Sequence, residues 1–209
     1  MTPESSRTQY RNNRFRKYRI GFTKLLGFVL LLALILAKRG TVGLVTDMLY
    51  FIGVILVAIG TLGRLWCSLY IAGRKTTELV TVGPYSVSRH PLYFFSFVGA
   101  LGVGLATETV TIPILFLIFG LLYYPSILRI EESLLIGQYG DAYLRYKQRT
   151  PGFLPRWSIL VEPATYEVNP RVFLKHVFSA LWFIWFLGIL ELLESFQEYG
   201  FVANYYTVY

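Results

Sequence analysis

In residues 42–69 only two side chains, Asp47 and Arg64, carry a charge. A helix rises about 1.5 Å per residue, so a run of this length reaches about 42 Å, more than the roughly 30 Å hydrocarbon core of a bilayer. In lipid every backbone N–H and C=O must be satisfied within the segment, and for a single run the helix is the solution. The pattern recurs. Further apolar runs cover residues 21–37, 92–106, 111–128 and 172–193. The expected fold is therefore all-α: a polytopic transmembrane helix bundle of about five spans.

Composition supports that class. The chain is 55% hydrophobic and 17% aromatic, with only 15% charged residues, a balance that soluble domains rarely show. A net charge of +8 raises nucleic acid as a partner. The charges flank the apolar runs instead, so no nucleic acid is expected. Cys67 is the single cysteine, which excludes an internal disulfide, and the C-terminal Tyr206-Thr207-Val208-Tyr209 carries no prenylation box.

Four regions follow. Residues 1–20 form a basic arm, attracted to anionic lipid. Residues 21–72 hold two spans; the first is read as a retained helix because no small-x-small cleavage site precedes Lys38. Arg64, near the end of the second, is expected to snorkel. Residues 73–156 open with a polar loop, form an apolar hairpin and end in an amphipathic helix over 129–150, broken at Gly137 or Gly140. Residues 157–209 hold a linker with Trp157 as an interfacial anchor, a last span and a tail. With the N-terminus in the cytosol, 17 of the 20 Lys and Arg face inward: seven up to Lys24, three in 73–91 and seven in 129–175. The membrane is then the bacterial inner membrane, or the endoplasmic reticulum in a eukaryote.

The candidate chemistry gathers at that edge. On a helix Glu132, Tyr139, Tyr143 and Tyr146 share one face, while Glu131, Leu135, Gln138, Ala142 and Arg145 form the stripe beside it. A carboxylate among aromatic rings suits a cation; the same tyrosines would also serve as interfacial anchors. His90, between Arg89 and a helix-starting Pro91, suits a donor to an anion or a proton carrier, or a structural role. No Walker loop, paired-histidine metal motif or nucleophile elbow occurs, and no metal site is expected. Gly102-Val103-Gly104 lacks the strand–turn–helix setting of a dinucleotide fingerprint.

Five elements occur in order: Gly83-Pro84-Tyr85; Arg89-His90-Pro91-Leu92-Tyr93; Glu131-Glu132 with Leu135; Tyr139-Gly140 with Tyr143 and Tyr146; and Pro151-Gly152-Phe153-Leu154-Pro155. Over residues 60–156 the series resembles the isoprenylcysteine carboxyl methyltransferase family and the related membrane phospholipid N-methyltransferases. The resemblance implies an integral-membrane enzyme using S-adenosylmethionine on a lipidic or prenylated acceptor drawn from the membrane. It implies a cofactor pocket at the cytosolic edge that includes Tyr85, Arg89, His90, Pro91, Tyr93 and Tyr143. Glu131 or Glu132 would hold the cofactor's amino group or shape the reacting centre. Gly102 and Gly104 match a Gly-x-Gly that lets the cofactor approach a helix. Arg145 or Arg149 would orient an anionic acceptor. Phe95 stands where the family often has a small residue, which would narrow the pocket. Methyl transfer from a sulfonium needs alignment and charge management more than a nucleophile. Two rivals are an NADPH-dependent reductase of the sterol-reductase type, which typically has Asn at the position of Leu92, and a non-catalytic membrane protein, whose polar residues would be spread along the spans.

Overall fold

The computed structural model describes residues 37–39, 43–74, 78–199 and 206–208. The basic arm and the first expected span fall outside them, apart from Ala37. The chain divides into two compact units, and the site lies wholly in the larger, Arg39–Leu192. Two three-residue strands, β1 (Ala37–Arg39) and β2 (Tyr206–Val208), pair with each other. The remaining described elements are helical: α1 (Leu44–Ile71), α2 (Pro84–Val87), α3 (Pro91–Leu105), α4 (Thr111–Tyr139), α5 (Asp141–Arg149), a 3-10 turn (Trp157–Ile159), α6 (Pro170–Ala180) and α7 (Trp182–Glu198).

Three helical segments are long and apolar enough to cross a membrane: α1, α4 and the 28 residues of α6 and α7 from Pro170 to Gln197. The apolar helix α3 has 15 residues and rises about 22 Å. Pro91 starts α3 and Pro170 starts α6, where a missing N–H costs nothing. Asn169 Oδ1 caps α6 by accepting from the Val172 N–H at 3.2 Å.

One boundary differs from the sequence reading. The segment from 129 does not begin a new amphipathic helix. It continues α4, which passes through Pro125 and ends only at Gly140. Pro125 removes one backbone hydrogen bond, and the helix nevertheless continues through it. Gly140 has φ +53°, a left-handed conformation that glycine adopts without strain, and there the chain changes direction into α5.

Helices α1 and α3 meet backbone to backbone. A Cβ on Gly60 would lie 2.5 Å from Gly99 Cα, and one on Gly53 would lie 2.7 Å from Gly102 O. Small residues of this kind let membrane helices approach closely. Gly102 is filled from the other side by Val57 N at 2.6 Å, and Gly104 by Phe116 and Pro113 of α4. These two glycines let the helices pack closely. The Phe95 ring fills the gap left by Gly63 and edges against Trp66 at 6.3 Å. Replacing Gly60 with valine should force α1 and α3 apart and cost about 1–3 kcal/mol. Chemical unfolding in mixed micelles will show it; an unchanged midpoint would mean the close approach is not needed for stability.

Candidate active site

The loop before α3 is held by main-chain bonds. The Arg89 N–H donates to Pro151 O at 2.8 Å, and the His90 N–H to Gly152 O at 3.2 Å. Ser88 Oγ donates to the carbonyls of Gly152 and Phe153, each at 3.1 Å. Tyr146 Oη donates to Tyr85 O at 2.6 Å and ties α5 to the same loop. The Pro-Gly-Phe-Leu-Pro turn thus works as a backbone clamp. His90 precedes Pro91 as the residue flanking α3 but makes no side-chain cap bond, so its ring is free to face α4.

That ring is buried between two carboxylates. His90 Nε2 lies 3.4 Å from Glu132 Oε1, and Nδ1 lies 4.0 Å from Glu131 Oε2. Glu132 is a hub: Arg89 Nη2 approaches Oε1 at 3.1 Å, and Lys147 Nζ donates to Oε2 at 2.6 Å. Glu131 makes no such pairing, and its buried Oε2 has no hydrogen-bond partner. Buried Nε and Nη1 of Arg89 and the Tyr143 hydroxyl are also without partners.

These groups surround a cavity of about 150 Å³. Tyr85, Arg89, His90, Pro91, Tyr93, Glu131 and Tyr143 line it, together with Leu135, Tyr139, Tyr146 and the segment 78–80. Glu132, Gly102 and Gly104 do not. Arg145 and Arg149 sit in a separate open cleft with Thr81, Ser86 and Ile159. The single helical face expected from Glu132 to Tyr146 does not exist as such, because Gly140 breaks the helix within it. The break swings α5 back, so Tyr143 and Tyr146 join Glu131 at the cavity and Lys147 reaches Glu132. Lys147, fifteen residues from Glu132, lay beyond any periodicity that the sequence offers.

Burial governs the titrations. It pushes the Tyr85 phenol well above its ordinary value, and with nearby Glu132 it raises Tyr143 to about 12. Burial also holds the His90 imidazole below its ordinary value, with Glu131 and Glu132 offsetting part of the effect. The ring is neutral at pH 7. An unfolded chain protonates histidine near about 6.5, so below that pH the unfolded state binds more protons. The neutral ring's stabilisation is complete above about 6.5 and is lost as pH falls through the lower folded value. The wild-type unfolding midpoint should therefore drop as pH falls below about 6.5, and His90→Gln should flatten that drop. Parallel curves for the two proteins would remove His90 as its source.

The phospholipid methyltransferase family model matches residues 42–142. The protein-S-isoprenylcysteine O-methyltransferase of Schizosaccharomyces pombe is 31% identical over 87 residues, 41% of this chain and 37% of that one. The chain belongs to the isoprenylcysteine and phospholipid methyltransferase family. Two longer matches extend over most of both chains. The nickel-cobalt-cadmium resistance protein NccN of Alcaligenes xylosoxydans xylosoxydans is 37% identical over 85% of this chain and 84% of its own. The cobalt-zinc-cadmium resistance protein CzcN of Cupriavidus metallidurans is 32% identical over 94% and 91%. No solved structure matches. Among the described residues of this methyltransferase-family chain, no group of three or more His, Cys, Asp and Glu side chains could hold a metal ion.

Proposed function

We propose that the protein is an S-adenosylmethionine-dependent methyltransferase acting on a lipidic acceptor, an isoprenylcysteine-like carboxylate or a lipid amine. The observation that carries this reading is the pairing of unsatisfied groups in one cavity. Arg89 offers two unpartnered buried donors, Nε and Nη1, and Glu131 offers an unpartnered buried acceptor. An α-amino acid presents the complementary carboxylate and ammonium. Tyrosine rings around the cavity suit a sulfonium through cation–π attraction. Ligand sites usually measure about 300–1,000 Å³, so a cavity of about 150 Å³ fits the amino-acid end of the cofactor rather than all of it.

When bound, the cofactor supplies an already activated methyl group. Arg89 binds its carboxylate and Glu131 its ammonium. Glu132, Arg89 and Lys147 hold one another in place. A carboxylate acceptor needs no base. An amine acceptor must lose a proton, and neutral His90 accepts it at Nδ1 while Nε2–H donates toward Glu132. The basic loops at this edge support a cytosolic site and a cytosolic N-terminus. The two long relatives support a setting in resistance to divalent transition metals, where methylation of a membrane component would be this protein's part.

The test is calorimetric titration of the detergent-purified protein with S-adenosylhomocysteine, run beside NADPH. Binding of the first alone is expected. Binding of NADPH alone would move the protein to reductase chemistry, and binding of neither would leave it without a catalytic reading.

A further inference from the structure

Arg64 is used by nothing described so far. It does not snorkel along α1, as its place near a span's end suggested. Its Nη1 donates to Ser96 Oγ on α3, and its Nη2 donates to Ser179 O at 3.2 Å and Ser179 Oγ at 3.1 Å on α6. The guanidinium also lies over the Phe183 ring, 5.6 Å from its centre. These partners are all neutral, and among the described residues no carboxylate pairs with it. Its Nε is buried and has no partner. Arginine stays protonated, and a charge withdrawn from water without a counter-charge is costly.

The depth of this charge follows from α1. Large apolar side chains exposed on that helix run from Leu44 to Leu62 and then stop. Eighteen steps of about 1.5 Å make a band of about 27 Å, close to the roughly 30 Å hydrocarbon core. Arg64 comes two residues after the band ends. Trp66, two further on, stacks against exposed Trp157 at 6.1 Å with an 11° angle, the kind of aromatic pair that marks the headgroup level. Ser179 is exposed, so the Arg64–Ser179 contact lies at the surface of the helix bundle.

We infer that Arg64, Ser96 and Ser179 form a lateral seat for the phosphate of an anionic membrane lipid. The phosphate supplies the missing counter-charge and accepts from the Ser179 hydroxyl beside Nη2, at the exposed side of the guanidinium, while the buried Nε stays out of its reach. Ser96 of the seat comes three residues after Tyr93 on α3, and Tyr93 lines the cavity. The seat is independent of methyl transfer and stands or falls on lipid binding alone.

The test is native mass spectrometry of the full chain released from vesicles of phosphatidylcholine containing about one-fifth phosphatidate. Wild type should retain phosphatidate over phosphatidylcholine. Arg64→Gln and the milder, exposed Ser179→Ala should each lower that retention, Arg64→Gln by about tenfold. Chemical unfolding of each variant in mixed micelles checks that the fold is intact without depending on the seat. Equal retention by wild type and both variants, or no preference for phosphatidate in wild type, would overturn the inference. Displacement of phosphatidate by millimolar inorganic phosphate would overturn the lipid as the source of the anion.

Discussion

Replacing Glu132 with glutamine will lower the stability of the detergent-solubilised protein by about 3 kcal/mol, the usual cost of removing one partner from a largely buried ion pair. Its side chain is 14% exposed and Arg89's is 13%, so neither charge can turn wholly to water once the other is gone. Lys147, at 41%, can. Glutamine keeps the shape and one acceptor but removes the charge that holds Arg89, His90 and Lys147 around one point. Chemical unfolding in mixed micelles measures the loss. A shift below about 0.5 kcal/mol would show that the hub is solvated in practice. Lys147→Met should cost less, about 1 kcal/mol, because its amine is the exposed member of the set.

Glu131→Gln should behave in the opposite way. Its Oε2 has no hydrogen bond to lose, so stability should stay within about 0.5 kcal/mol. Affinity for S-adenosylhomocysteine should fall by tenfold or more, since a charge-assisted bond to an ammonium is removed. Calorimetry on the two variants separates the adjacent carboxylates. If Glu131→Gln binds like wild type and Glu132→Gln folds but does not bind, the proposed roles are reversed.

Why the sequence could not make that division is plain from the helix. Neighbouring residues on α4 point about 100° apart, and either could face inward until the partners are known. Arg89 and His90 arrive from 43 and 42 residues upstream of Glu132 and Lys147 from 15 downstream, beyond a turn set by the φ of one glycine. The long apolar runs were legible because the length of a greasy segment is a local property. The helix start at Pro91 was legible for the same reason. The jobs of Gly102 and Phe95 were not, because each answers to a residue on α1: the backbone of Val57 in one case and the missing side chain of Gly63 in the other. Arg64 was visible as a charge in a span, but its two serine partners lie 32 and 115 residues away.

The clamp on the Arg-His-Pro loop has a bearing on how the protein tolerates change. Pro151 and Gly152 hold Arg89 and His90 through carbonyl oxygens, which every amino acid possesses. Sequence drift at residue 151 can therefore proceed so long as the turn keeps its path. Gly152 is the exception, because a Cβ there would come 3.0 Å from Arg89 Nη2. A saturation library across 150–155 should tolerate change at 151 and resist it at two positions: at Gly152 through main-chain geometry, and at Phe153 through its ring contacts with Phe94, Phe97 and Tyr124.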